Sequence, residues 1–289
     1  DCAALYSSYI FAKYLGLPSY SMPPSIITLE KSKFNFSEAL VIVISQSGKS
    51  NDLIECEKKS QEFGAITMLI SNNENSPIIN SANYFFNMFA GVEKSVAATK
   101  SFVQTLLILK KLVFICQGKH KINDNIKILS DTLLKDANNQ WSIDLVDNSI
   151  NSGFILGRGV GFALSNEMSL KFKELCQEMI EPFSSAEVMH GPKSLIQDTF
   201  KLFTLSMNDK SGLTVQNDSN EITKYTKLVY NISSAKDQSK NFYFPPNQIT
   251  EFDSIVIMSK FYPWIIRYAQ KKGLDPDKPR YLTKVTQTF

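Results

Sequence analysis

Within the segment FALSNEMSLKFKELCQ (162–177), Glu167, Lys171 and Glu174 stand at i, i+4 and i+7. On a helix they share one face. Two carboxylates flanking an ammonium can serve as a general base with a neighbour that holds it in place. The same spacing also suits a solvated ion-pairing face, which is its commoner use. His190 lies in MHGP, where Gly191 and Pro192 fix a turn rather than extend a helix. Histidine suits a proton carrier because the unperturbed pKa of an imidazole lies close to working pH. Lys284, in PRYLTKVT, offers an amine near the end of the chain, a place where lysines are normally only solvated.

A second feature is the run VIVISQSGKSND (41–52), in which hydrophobic residues end in a small polar loop containing Gly-Lys-Ser. A nucleotide-binding P-loop needs an additional glycine five residues before Gly48, so that the backbone can wrap the phosphates. Val43 occupies that position, in the middle of a strand pattern, and excludes the P-loop. Ser45, Gln46, Ser47 and Ser50 remain, at or before the start of a helix. Hydroxyl and amide donors beside a helix N-terminus suit a single phosphate monoester. An ordinary strand-to-helix turn, with Ser50 or Asn51 as N-cap, is the alternative.

These residues must be positioned by the elements around them. Strand-like runs at 39–45, 65–71 and 83–89 alternate with helical patterns over 51–63, 96–116 and 122–139. After a connection near 141–151 the pattern restarts with a strand at 153–157, an RGVG loop and a helix over 162–177. Strands follow at 200–207 and 240–245, and a helix over 254–272 is expected to kink at Pro263 and stop at Gly273. Alternation of this kind specifies an α/β fold with parallel sheets covered on both faces, here in two units, 1–140 and 141–289. Ligands bind such sheets at the carboxyl ends of their strands, where both small-residue loops fall. The opening DCAALYSSYIFAKYLG starts with a helix already under way, and further residues are expected before Asp1.

Composition narrows the range of partners. The 289 residues are 43% hydrophobic and 20% charged, with a net charge of +3 and no basic stripe, which gives no footing for nucleic acid. The longest apolar stretches, such as 105–116, contain lysines and fall short of a membrane span. Four cysteines (2, 56, 116 and 176) have no CxxC spacing, and only two histidines are present, so no metal site is expected. Free thiols and the absence of a basic leader suggest a reducing, cytoplasmic setting.

The segment SQSGKSNDL resembles the phosphate loop of the sugar isomerase (SIS) domain, S-x-S-G-x-[ST]. The resemblance continues through AGVEKSVAATKSF (90–102), LGRGVGFALSNEMSLKFKEL (156–175), SAEVMHGPKSLI (185–196) and GLDPDKPRYLTKVTQT (273–288). Together these are similar to the isomerase portion of glucosamine-fructose-6-phosphate synthase. They are most similar to relatives without a glutaminase domain, the SIS-type glucosamine-6-phosphate deaminases. The resemblance implies two SIS subdomains, each a five-stranded parallel sheet in an αβα sandwich. It implies a first conserved loop, with a phosphate-binding serine, just before Asp1.

The resemblance also implies roles. Ser45, Gln46, Ser47 and Ser50 would hold the sugar phosphate, and the loop 93–99 would contact the sugar hydroxyls through Val96 and Thr99. Glu174 would move a proton between C1 and C2, supported by Glu167 and Lys171. His190 would open the sugar ring from the partner subunit of a homodimer, and Lys284 would form an imine with the ketose carbonyl. No cofactor or metal is implied. Two positions depart from the family: Cys2 where the deaminase group often has histidine, and Met189 where the synthase has lysine. The favoured activity is conversion of glucosamine 6-phosphate to fructose 6-phosphate and ammonia. The alternatives are the isomerase domain of a synthase, a tagatose- or galactosamine-phosphate isomerase, a fructosamine-6-phosphate deglycase and a phosphosugar-sensing regulatory protein.

Overall fold

The computed structural model describes residues 2–119, 121–235 and 241–284. Helices α1 (Cys2–Leu15) and α2 (Ser25–Thr28) precede β1 (Leu40–Ser45), α3 (Asn51–Glu62), β2 (Ile66–Ser71) and β3 (Tyr84–Asn87). Helices α4 (Lys100–Cys116) and α5 (Ile122–Asp136) lead to β4 (Ser152–Gly157), α6 (Val160–Cys176), β5 (Met179–Ser184) and α7 (Ser185–His190). The chain continues through β6 (Lys201–Ser206), α8 (Lys210–Ile222), β7 (Val229–Ser233), β8 (Asn241–Tyr243) and α9 (Asp253–Lys271).

Among the described residues all strand pairs are parallel, in two sheets ordered β1-β2-β3 and β5-β4-β6-β7-β8. The second sheet has the five strands expected; the first has three among the described residues, not five. The segment between α1 and β1 contributes no strand to it. Pro18, Pro23 and Pro24 lie there, and proline has no N–H to give to a ladder. Pro182 is tolerated in β5 because that strand lies at the sheet edge. Strands β5 and β7 are not legible as strands in the sequence, the first because of this proline and its polar flanks.

Two helix starts differ from the sequence pattern for local reasons. Helix α4 begins at Lys100 rather than 96, because Glu93 takes the amides of Thr99 and Ser101 and keeps 93–99 as a loop. Helix α6 begins at Val160, two residues early. Only Arg158 and Gly159 form the turn, and Gly159 has φ +60°. A Cβ there would lie 2.7 Å from the Tyr9 hydroxyl, so the loop closes against α1.

Strand β4 is buried on both faces, as a central parallel strand must be. Ile155 joins a large core with Tyr6 of α1, Leu106 of α4, Phe172 of α6 and Trp264 of α9, while Phe154 and Leu156 enter a smaller core beneath α7 and α8. The large core thus joins helices from both halves of the chain around α6. Pro263 is accommodated inside the continuous helix α9. Among the described residues no helix is long and apolar enough to cross a membrane.

The far end of α9 is fixed by charge. Lys201 and Glu178 are fully buried and pair at 3.0 Å, while Tyr268 and Lys272 donate to the other Glu178 oxygen at 2.8 and 2.6 Å. Removing one partner of such a pair leaves a buried charge uncompensated. Glu178→Ala is therefore expected to lower stability in urea by about 3–5 kcal/mol. Glu178→Gln should lose less, because it still accepts from Tyr268.

Candidate active site

The loop after β1 is shaped by its own serines. Ser45 Oγ accepts from Gly48 N at 3.0 Å and Ser47 Oγ from Lys49 N at 3.3 Å. Each hydroxyl keeps its proton free to donate to a ligand. Ser50 is the N-cap of α3 but makes no side-chain capping bond, so its hydroxyl and the first-turn amides remain available. Gln46 is half-buried on the same loop and Lys49 points to solvent. Gly48 has φ +61°, and Ser76 donates to its carbonyl at 2.8 Å. The four predicted phosphate residues thus share one small loop at the end of a strand.

Asn72 and Asn73, at the end of β2, brace this loop. Asn73 donates to Ser47 O at 2.8 Å, and Asn72 N donates to Gln46 O at 3.2 Å. The Asn72 side chain also accepts from Ala90 N and donates to Gly91 O, tying the phosphate loop to the segment that leads to 93–99. There Glu93 receives Thr99 N at 2.8 Å and Ser101 Oγ at 2.7 Å. Burial pushes its carboxyl up, but these donors and Lys284 outweigh burial and hold it below the ordinary carboxylate range. Val96 and Thr99 are half-buried on this loop, Thr99 at the N-cap of α4.

The tail returns to the same place. Lys284 donates to Ser95 O at 2.7 Å and stands 3.9 Å from Glu93, and Ser95 bonds Asp277. The amine near the chain end is therefore docked on the 93–99 loop. Residues 285–288 of the tail motif lie outside the described residues.

Helix α6 supplies the charged cluster. Glu167 is 5% exposed and Lys171 3% exposed, which excludes a solvated face for them. Lys171 Nζ lies 3.3 Å from Glu167 Oε1 and 2.8 Å from Glu174 Oε2. Burial opposes the charge on Lys171, but the two carboxylates prevail and its ammonium is held above the ordinary range. Burial pushes Glu167 up despite Lys171 and Tyr262, whose hydroxyl donates to it at 2.8 Å. Glu174 is the accessible member, with 22% of its side chain exposed. Cys2 faces Glu167, and burial together with that charge pushes its thiol up to about 11, so it is no nucleophile. The Tyr262 phenol is pushed well above its ordinary range by burial first, then by Glu167, Cys2 and Glu93.

His190 is apart from this arrangement. It ends α7, is exposed, and makes no hydrogen bond or ion pair with another described side chain. The residues missed in the sequence are Asn72, Asn73, Glu93 as a loop anchor, and Tyr262. The asparagine pair at a strand end was a readable signal, because parallel strands bring their carboxyl-end loops together. Tyr262 lies in an apolar helix and carried no signal. Among the described residues no group of three or more His, Cys, Asp or Glu side chains is placed to hold a metal ion.

The chain thus combines a parallel α/β fold, a small serine loop tied through an asparagine bridge to the segment before 93–99, and a buried Glu–Lys–Glu face on α6. Residues 2–114 match the family described as the SIS domain, and the chain carries that domain. Along its length the chain is homologous to the isomerase portion of an aminotransferase. It is 30% identical over 291 residues to the isomerizing glutamine–fructose-6-phosphate aminotransferase of Sulfolobus acidocaldarius, covering 98% of this chain and 47% of that protein. The chain spans about half the length of the curated relatives it matches. Among solved structures, a proposed phosphosugar isomerase from Silicibacter pomeroyi DSS-3 superposes with TM-score 0.86 at 28% identity, over 96% of this chain and 85% of that one. The C-terminal domain of glucosamine-fructose-6-phosphate aminotransferase from Francisella tularensis shares the fold, with TM-score 0.82 at 22% identity over 96% and 83% of the two chains.

The loop geometry gives a direct test. A Cβ on Gly48 would lie 2.1 Å from Ser76 Oγ, on a backbone that side chains rarely adopt. If this loop binds phosphate, Gly48→Ala is expected to weaken inorganic phosphate binding roughly tenfold or more by calorimetry, at a cost of about 1–3 kcal/mol in local strain. Unchanged affinity would place the phosphate elsewhere.

Proposed function

We propose that this protein is an amino-sugar phosphate isomerase and deaminase that converts glucosamine 6-phosphate to fructose 6-phosphate and ammonia. The observation that carries this reading is the buried pairing of Lys171 with Glu167 and Glu174, in a chain whose serine loop suits one phosphate. Ser45, Gln46, Ser47 and Ser50 anchor the phosphate, and Val96 and Thr99 line the sugar. Glu174 takes the C2 proton of the open-chain aldose as the C1 oxygen is protonated, forming a C1=C2 double bond that bears the C2 amine. Return of the proton to C1 leaves an iminium at C2; water adds there, and ammonia departs to give the ketose. Lys171 holds Glu174 in place, and Lys284 engages the carbonyl from the 93–99 loop.

Ring opening needs a proton carrier at the ring oxygen. His190 is exposed and makes no hydrogen bond or ion pair among the described residues, which suits a group delivered to a second copy. The functional form under this reading is a homodimer in which each protomer completes the site of its partner.

A second reading is favoured by the 30% identity to an aminotransferase twice the length of this chain. The same isomerisation would then serve nitrogen capture within a larger protein, not nitrogen release. An ammonia-release assay over a panel of hexosamine 6-phosphates separates the two. Release from glucosamine 6-phosphate supports the deaminase, and isomerisation of hexose phosphates with no ammonia from any amino sugar supports the second reading. Glu174→Gln is expected to lower turnover about 10²–10⁴-fold with fructose 6-phosphate affinity retained. A fully active variant would remove Glu174 as the base.

A further inference from the structure

Glu167 is faced from three elements. Lys171 and Glu174 lie along its own helix α6, the Cys2 thiol comes from α1, and the Tyr262 hydroxyl comes from α9, with the charge of Glu93 also acting on that phenol. Lys171 is shared between the two α6 carboxylates, at 3.3 Å and 2.8 Å. Where the ammonium rests depends on how strongly Glu167 attracts it. An ionised Glu167 keeps the ammonium between the two acids. A protonated Glu167 loses that pull, and Lys171 then closes onto Glu174 and competes for the lone pairs that must receive a proton from carbon.

Burial disfavours the ionised form of Glu167. The hydroxyl of Tyr262 opposes this: it donates to Glu167 Oε1 at 2.8 Å from a ring that is itself buried. A hydrogen bond to a carboxylate stabilises the charged form specifically and is stronger than one between neutral groups. The phenol is pushed well above its ordinary range by burial and by Glu167, so it remains a donor at every working pH. Packing alone does not require the oxygen at this position. Phe261 and Trp264, its neighbours on α9, fill the core without one.

We infer that Tyr262 is a positioning residue of this site, whose hydroxyl keeps Glu167 ionised so that Lys171 stays shared and Glu174 stays free to accept a proton. The inference rests on the role proposed for Glu174, and its test includes a measurement that needs no substrate.

The variant is Tyr262→Phe, which keeps the ring and removes the oxygen. Infrared-detected titration of the intact protein reads the protonated-carboxyl band assigned to Glu167 by its loss in Glu167→Gln. In Tyr262→Phe that band is expected to appear at a pH roughly one unit or more higher than in the parent. Site-specific 3-fluorotyrosine at position 262, a stronger donor, should move it the other way. With substrate, Tyr262→Phe should lower kcat about ten- to a hundredfold with KM little changed, and shift the acidic limb of the kcat–pH profile upward. In a Glu167→Gln background the same change should leave the profile where it is. An unmoved band in both the phenylalanine and fluorotyrosine proteins, or an equal loss of kcat in both backgrounds, overturns the inference. If the parent turns over no phosphosugar, the proposed function fails while the infrared result still decides the role of Tyr262. If Tyr262→Phe does not fold, the fluorotyrosine protein alone decides it by the direction of its shift.

Discussion

An ammonium and two carboxylates on a helix at the centre of a protein are unstable unless each charge finds a partner at once. Lys171 meets this condition by lying between Glu167 and Glu174, and the elements around it are arranged to keep it there. Helix α6 is flanked by α1, β5 and α9, and the large apolar core closes around its inner face. That burial gives the pairing its strength, because a charge interaction gains as water is withdrawn. It also makes the pairing expensive to disturb. Glu174, half out of the core, is the one member able to meet a ligand while still being held.

The second constraint is distance along the chain. The serine loop, the 93–99 segment and the returning tail lie far apart in the sequence, so something must hold them together. Backbone and amide bonds do this in steps. Gln46 is tied to Asn72, Asn72 to Ala90 and Gly91, Glu93 to Thr99 and Ser101, and Lys284 to Ser95. Each step is a loop at the carboxyl end of a strand or the start of a helix, where donors and acceptors are not used up by ladders. The buried Glu178–Lys201 pair at the other end of α9 fixes the origin of the tail that brings Lys284 back.

Much of this was legible in the sequence, for identifiable reasons. Hydrophobic runs with β-branched residues marked β1, β2, β4 and β6 to within a residue or two, and the i, i+4, i+7 spacing placed Glu167, Lys171 and Glu174 on one face. Val43, in the middle of β1, excludes a nucleotide loop by its spacing from Gly48 alone. Spacing could not show that the face is buried, because a helix with two acids and a lysine reads as a surface helix until its neighbours are known. The same limit hid Tyr262, which meets Glu167 across 95 residues of sequence. Strand β5 was hidden by Pro182, and the first sheet has fewer strands than the resemblance implied among the described residues. The 93–99 loop runs further than the helical pattern suggests, because that pattern does not reveal that Glu93 has claimed the amides of Thr99 and Ser101.

The central claim is that a single carboxylate on α6 carries hydrogen between adjacent carbons of a bound phosphosugar. Glucosamine 6-phosphate labelled with deuterium at C2 tests it most directly, with the product read by NMR. The account predicts that the label leaves C2 and appears at C1 of fructose 6-phosphate or in water. Label retained at C2 after prolonged incubation with active-concentration protein would contradict it.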